Sequence, residues 1–185
     1  MKRLKILAIV GSLRQGSYNR QLAMAAKSMI GDQADFELLD YADVPFMNQD
    51  IEFPAPEAVR RVREEVKAAD GIWFFTPEYN HSFSAALKNL IDWMSRSISK
   101  NEPQVLSGKP AAISGITPGM SGTGTAQDHL VTLISLLNMD VMNLPRLTIP
   151  NAAQQLDKDG TLQLTSSAPY LQAQADAFIT FIKNR

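Results

Sequence analysis

Leu4-Lys5-Ile6-Leu7-Ala8-Ile9-Val10-Gly11-Ser12-Leu13-Arg14-Gln15-Gly16-Ser17-Tyr18-Asn19 is the stretch on which the fold turns. Leu4 to Val10 is a short apolar run that stops at Gly11, the pattern of a strand buried on both faces. From Asn19 to Ile30 the residues Leu22, Ala23, Ala26, Met29 and Ile30 recur at helical spacing. The loop between the two carries more polar chemistry than a connector needs. Backbone amides in the first turn of a helix are unpaired and sit at the positive end of its dipole. They make a ready anion site. Ser12, Ser17 and Asn19 add short donors, Arg14 adds a fixed positive charge, and two glycines let backbone approach a ligand. A helix cap at Ser17 or Asn19 accounts for one polar residue. It leaves Arg14 and Ser12 without a purpose.

The same alternation continues outward from this stretch. Phe36–Leu39, Gly71–Phe75, Ala111–Ile116 and Asp140–Leu147 read as further strands. Between them, Pro56–Ala69 carries Val59, Val62 and Val66 on one stripe, and Phe83–Ser97 carries Phe83, Leu87, Leu90, Ile91 and Met94. Thr125–Asn138 and Pro169–Ile182 complete the helices. Strict alternation predicts an α/β three-layer sandwich around a five-stranded parallel sheet, with right-handed crossovers. No repeat or dividing linker is visible, so residues 1–185 read as one domain. In a sheet of order 2-1-3-4-5 the connections after strands one and three leave on opposite faces. A crevice opens between them.

Composition removes several function classes. Of 185 residues, 45% are hydrophobic and 20% charged, ordinary values for a globular chain. Lys and Arg total 18 against 19 Asp and Glu, so no basic excess points to nucleic acid or an anionic membrane. The lack of any cysteine excludes thiolate nucleophiles, disulfides, iron–sulfur clusters and Cys-type zinc sites. His81 and His129 are too few for a histidine-rich metal site. No run of about 18 apolar residues is present to span a membrane. The N-terminal apolar run is shorter than a signal-peptide core, so a cytoplasmic location is expected.

Two further loops should meet the first at the crevice. Thr76-Pro77-Glu78-Tyr79-Asn80-His81-Ser82 follows the third strand, and Ser114-Gly115-Ile116-Thr117-Pro118-Gly119-Met120-Ser121-Gly122-Thr123-Gly124 occupies the fourth strand's end and the loop beyond. The glycines of the latter expose backbone amides that suit a flat ring with several heteroatoms. The spacing Gly11-x-x-x-x-Gly16 looks like the start of a triphosphate-binding P-loop. Ser17 and Tyr18 stand where that loop needs Lys and then Ser or Thr. The dinucleotide fingerprint G-x-G-x-x-G is absent as well. A hydroxyl-rich loop with one arginine suits a terminal phosphate monoester. Asp157-Lys158-Asp159-Gly160 lacks the remaining ligands of a calcium loop and reads as a polar turn.

Gly11-Ser12-Leu13-Arg14-x-x-Ser17-x-Asn19 and Pro77-Glu78-Tyr79-Asn80-x-Ser82-x-x-x-x-Leu87-Lys88-Asn89-x-x-Asp92-Trp93 resemble the two signatures of the NADPH-dependent FMN reductase family. That family is flavodoxin-like and includes FMN, quinone, azo-dye and chromate reductases. The resemblance covers nearly the whole chain. It implies a flavodoxin-like fold, an FMN cofactor, and NADPH or NADH as co-substrate. Hydride would pass to the flavin and then to a small-molecule electron acceptor. It further implies that Ser12, Arg14, Ser17 and Asn19, with Tyr18 among them, hold the FMN phosphate. Pro77, Glu78, Tyr79 and Asn80 would edge the isoalloxazine ring, largely through backbone. Ser114 and the run from Gly115 to Gly119 would face its other side.

Ser84 stands where many family members have proline. No catalytic acid or base is required, because the cofactor carries the chemistry. Glu78 accordingly reads as structural or interfacial. Trp93 widens the apolar face of its helix beyond one sheet contact, which points to a subunit interface, and the family resemblance implies a homodimer or homotetramer. The alternative reading is a non-catalytic, flavodoxin-like electron carrier.

Overall fold

The computed structural model describes residues 3–99 and 102–185. Strand β1 (Leu4–Val10) sends Ile6, Ala8 and Val10 into one apolar layer and Leu7 and Ile9 into the other. A strand covered on both faces must alternate in this way. It pairs in parallel with β2 (Ala34–Leu38) on one side and β3 (Gly71–Phe75) on the other. β4 (Pro110–Ile116) pairs with β3, and β5 (Asp140–Val141) with β4, giving the order 2-1-3-4-5. The first layer is closed by α1 (Tyr18–Ile30) and α5 (Ala168–Lys183). The second is closed by α2 (Glu57–Ala68), α3 (Ala85–Met94) and α4 (Gly124–Leu136). Trp73 belongs to the first layer, stacked on Phe75 at 5.3 Å and edge-on to Phe178 at 5.6 Å.

The last strand differs from the sequence reading. Asp140–Leu147 is not continuous: β5 ends at Val141, the chain loops out through Leu144 and Pro145, and β6 (Leu147–Ile149) returns to pair with Ser114–Ile116. Proline cannot donate to a ladder, which favours a break there. Among the described residues the sheet therefore has six strands, and β4 has no strand partner between Ala111 and Ser114 on that side. Gln174 of α5, fully buried, fills the gap. Its amide donates to the Ile113 carbonyl at 2.8 Å and to that of Pro145 at 2.9 Å.

The second difference lies at α3. The expected helix from Phe83 to Ser97 is shorter, because Ser84 is extended and caps it, accepting from the Leu87 amide at 3.2 Å. Trp93 is fully buried, and its indole N–H donates to the Pro45 carbonyl at 2.8 Å. The loop before α2 folds over α3 and covers the apolar surplus that the sequence assigned to a partner subunit. Asn89 fastens the same loop, donating to Pro45 and accepting from the Met47 amide.

Candidate active site

Three loops meet at the C-terminal edge of the sheet. The first, between β1 and α1, closes against the second through Gly11. Its amide donates to the Phe75 carbonyl at 2.8 Å. A Cβ at Gly11 would lie 2.9 Å from Pro77 Cδ and 3.3 Å from Ser84 Oγ, so only glycine permits this approach. The Ser84 hydroxyl also donates to the Gly11 carbonyl, which ties the start of α3 to the end of β1. Ser17 caps α1, its hydroxyl accepting from the Arg20 amide at 3.3 Å. No acidic residue occupies the first turn of α1.

A cavity of about 170 Å³ opens between the three loops. Ser12, Arg14, Ser17, Tyr18 and Asn19 line it from the first loop, and Pro77, Glu78 and Tyr79 from the second. Ile116, Thr117 and Pro118 close the third side. The structure thus brings together eight of the expected site residues. Asn80, Ser114, Gly115 and Gly119 lie outside this cavity.

The individual side chains divide by what they already bond. The Arg14 guanidinium lies over the Tyr18 ring, 5.2 Å from guanidinium carbon to ring centre, and has no acidic partner among the described residues. Asn19 is buried and committed: its amide donates to the Ile116 carbonyl at 3.0 Å and accepts from the Ile116 amide at 3.1 Å. It therefore pins α1 to β4, and only its backbone is left to face a ligand. The Tyr79 hydroxyl lies 3.4 Å from Ser12 Oγ, across the mouth of the cavity. Asn80 and His81 both hold positive φ at the tip of the second loop.

Ser114 points away from the site. Its hydroxyl accepts from the Trp73 indole at 2.8 Å and donates to Gln174 at 2.6 Å, inside the core. Gly115 is a packing glycine, since a Cβ there would overlap the Thr123 hydroxyl and the Thr76 carbonyl. Gly119, by contrast, has open space around it.

Glu78 links the second and third loops. Its carboxylate accepts from the Ala126 amide in the first turn of α4 at 3.0 Å and from the Ser121 hydroxyl at 3.3 Å. An anion at a helix N-terminus is stabilised by the dipole and by the free amides. Its other neighbour is His81, 3.6 Å away and largely exposed. This role had no signal in the sequence, because the helix it caps begins more than forty residues later. Asp157 makes the expected polar turn, accepting from the Asp159 and Thr161 amides at 2.9 Å each. These hydrogen bonds, chiefly that from Thr161, hold its carboxyl below the usual aspartate range. No metal-binding cluster occurs among the described residues.

An open parallel sheet of order 2-1-3-4-5, with helices on both faces and three loops meeting at the switch point, defines a flavodoxin-like protein. Residues 4–154 match the family model for NADPH-dependent FMN reductase, and the chain belongs to that family. It is 38% identical over 181 residues to an NAD(P)H-dependent FMN reductase of Pseudomonas aeruginosa, covering 97% of this chain and 96% of the relative. It is 36% identical over 182 residues to a 2-hydroxy-1,4-benzoquinone reductase of a Burkholderia species, covering 98% of each. Among solved structures, the flavoenzyme NAD(P)H:(acceptor) oxidoreductase FerB of Paracoccus denitrificans superposes with a TM-score of 0.88 at 32% identity, over 98% of each chain. The chain is accordingly an NAD(P)H-dependent reductase of the FMN and quinone reductase type, with FMN as its cofactor.

Proposed function

We propose that this enzyme reduces a small quinone with NAD(P)H, and that the 170 Å³ cavity is where the FMN phosphate sits. The observation that carries the proposal is Arg14, an unpaired guanidinium beside the acid-free first turn of α1. That donor set fits a phosphate monoester: one fixed charge, backbone amides and the Ser12 hydroxyl. A cavity of this size takes the phosphate and part of the chain attached to it. Pro77–Asn80 and Thr117–Gly119 would hold the ring. FMN bound there supplies a ring that takes up hydride and releases it again.

The chain's own residues hold and exclude. Gly11, Ser84 and Asn19 set the spacing of the first loop against the other two. Glu78 holds the second loop to the third through α4. Quinone is favoured as acceptor by the relatives' activities. The lack of cysteine fits action in the cytoplasm. The enzyme works as a homo-oligomer, supported by Phe46, Ile51 and Phe53, which stand exposed on the segment before α2.

Steady-state kinetics of the FMN-loaded protein test the activity. NAD(P)H should bleach the flavin and quinone should restore its colour. Reductant and acceptor share one cleft, so double-reciprocal lines should be parallel, with acceptor inhibiting competitively against NAD(P)H. Intersecting lines would remove the shared cleft. A flavin that NAD(P)H fails to bleach would instead mark an electron carrier.

A further inference from the structure

On the other side of the Ser12–Arg14 loop lies a second and larger cavity, of about 570 Å³. That volume is in the range of small-molecule sites. It is bounded by the C-terminal ends of β1 and β2, the turn Asp40–Ala42, the first loop from Ser12 to Gln15, and Arg20. It shares Ser12 and Arg14 with the smaller cavity, so the two are separated only by that loop.

Its chemistry is specific. Leu13, Leu38 and Leu39 supply apolar walls. Asp40 uses one carboxylate oxygen to accept from the Ala42 amide at 3.3 Å; the other has no hydrogen-bond partner among the described residues. Arg14 and Arg20 contribute two guanidinium groups. Among the described residues these alone of the arginines lack a hydrogen-bond or ion-pair partner. Every other one meets a carboxylate or, for Arg63, the Trp93 carbonyl. Arg20 also lies in the first turn of α1, where a cation opposes the dipole and no acid offsets it. With Arg14 assigned to the flavin phosphate, Arg20 is the unanswered charge left to the groove, and it suits an anionic group.

We propose that this groove binds the adenosine-phosphate half of the reduced nicotinamide dinucleotide, with Arg20 on its phosphate and Asp40 accepting from a ribose hydroxyl. The proposal rests on the reductase reading above. Asp40 stands two residues past β2, on the wall of the groove, with one carboxylate oxygen left to accept from a ribose hydroxyl. The leucines suit a purine. Arg20, which has no acid to answer it, suits a phosphorylated nucleoside over a neutral one. The shared loop lets one dinucleotide reach from the groove toward the cleft where the flavin ring is proposed to lie.

Calorimetric titration of the FMN-loaded protein tests the site without turnover. The probes are adenosine 2′,5′-bisphosphate, the phosphate pattern of NADPH, and adenosine 5′-diphosphate, that of NADH. At least one should bind, and the tighter of the two names the reductant. The exposed Arg20→Ala variant should weaken it about tenfold or more, the loss expected for a charge-assisted hydrogen bond. Arg60→Ala, on the outer face of α2, is the control. In steady state, Arg20→Ala should raise KM for the dinucleotide and not for reduced nicotinamide mononucleotide, which lacks the adenosine half. Absence of binding by both probes, or equal binding by wild type and Arg20→Ala, overturns the proposal. Adenosine phosphates that bind through Arg20 to a protein whose flavin NAD(P)H cannot reduce would count against the reductase reading alone.

Discussion

Arg14 has an aromatic neighbour and no acid to answer its charge. A charge-assisted contact to phosphate contributes about 1.5–3 kcal/mol. Arg14→Ala should therefore weaken FMN binding by roughly 10- to 150-fold. Titration of the apo-protein reads this directly; unchanged affinity would remove Arg14 from the cradle. Riboflavin, lacking the phosphate, should bind poorly even to wild type. The glycines of the third loop make a second comparison. Gly115 is packed against Thr123 and the Thr76 carbonyl, so Gly115→Ala should destabilise the apo-protein by about 1–3 kcal/mol through overpacking. Gly119 faces open space, so Gly119→Val should leave apo stability within about 0.5 kcal/mol of wild type. It should nevertheless reduce flavin occupancy and rate, if backbone there approaches the ring. Thermal melts with and without FMN separate the two variants. In the sequence these glycines look alike. Only their surroundings tell a packing glycine from one open to a ligand.

At the scale of elements, the segment before α2 is fastened by buried charge. Glu52 accepts from Arg96 at 2.8 and 3.1 Å, and Arg63, itself buried, stands nearby on α2. The Arg96 hydrogen bond holds the Glu52 carboxyl below the usual glutamate range, against the opposing effect of burial. A carboxylate whose folded pKa is lowered stabilises the fold above its unfolded pKa, roughly 4.3. That stabilisation fades as pH falls through the lowered folded value. Glu52→Gln should thus melt earlier than wild type at pH 7, and the gap should narrow below about pH 4. A constant gap from pH 7 to pH 3 would show that the pair contributes through packing alone. Burial also pushes the Tyr41 hydroxyl well above its ordinary range, and it donates to the Val10 carbonyl at 2.7 Å. That bond fastens the turn after β2 to the end of β1, beside the larger cavity.

For the whole molecule, the apolar surplus of α3 is covered from within the chain, and the surplus reappears on the cover. Phe46 is 83% exposed and Phe53 63%. If these residues form the contact between copies, light scattering at micromolar concentration should give a mass above 20.4 kDa. Phe46→Glu combined with Phe53→Glu should lower it to that of one chain. A wild-type mass of a single chain would end the oligomer proposal.

Strand and helix placement was legible because it is written locally. An apolar run bounded by glycine and a stripe at helical spacing keep their meaning wherever the chain goes, so β1, β3, β4 and all five helices stand close to where the pattern put them. Alternation implied a parallel sheet with right-handed connections, while its order 2-1-3-4-5, and with it the meeting of the loops at one edge, came with the flavodoxin-like resemblance. Tertiary structure decided what each side chain does once there. Ser114 turns into the core because Trp73 and Gln174 hold its hydroxyl. Asn19 is spent on Ile116, and Glu78 on the first turn of α4. Trp93 is roofed by Pro45, and the last strand breaks where Gln174 can replace the missing ladder. Each of these partners lies about 40 or more residues away along the chain. No local pattern records such a pairing, because a buried polar group takes whichever partner the packed layers bring within reach.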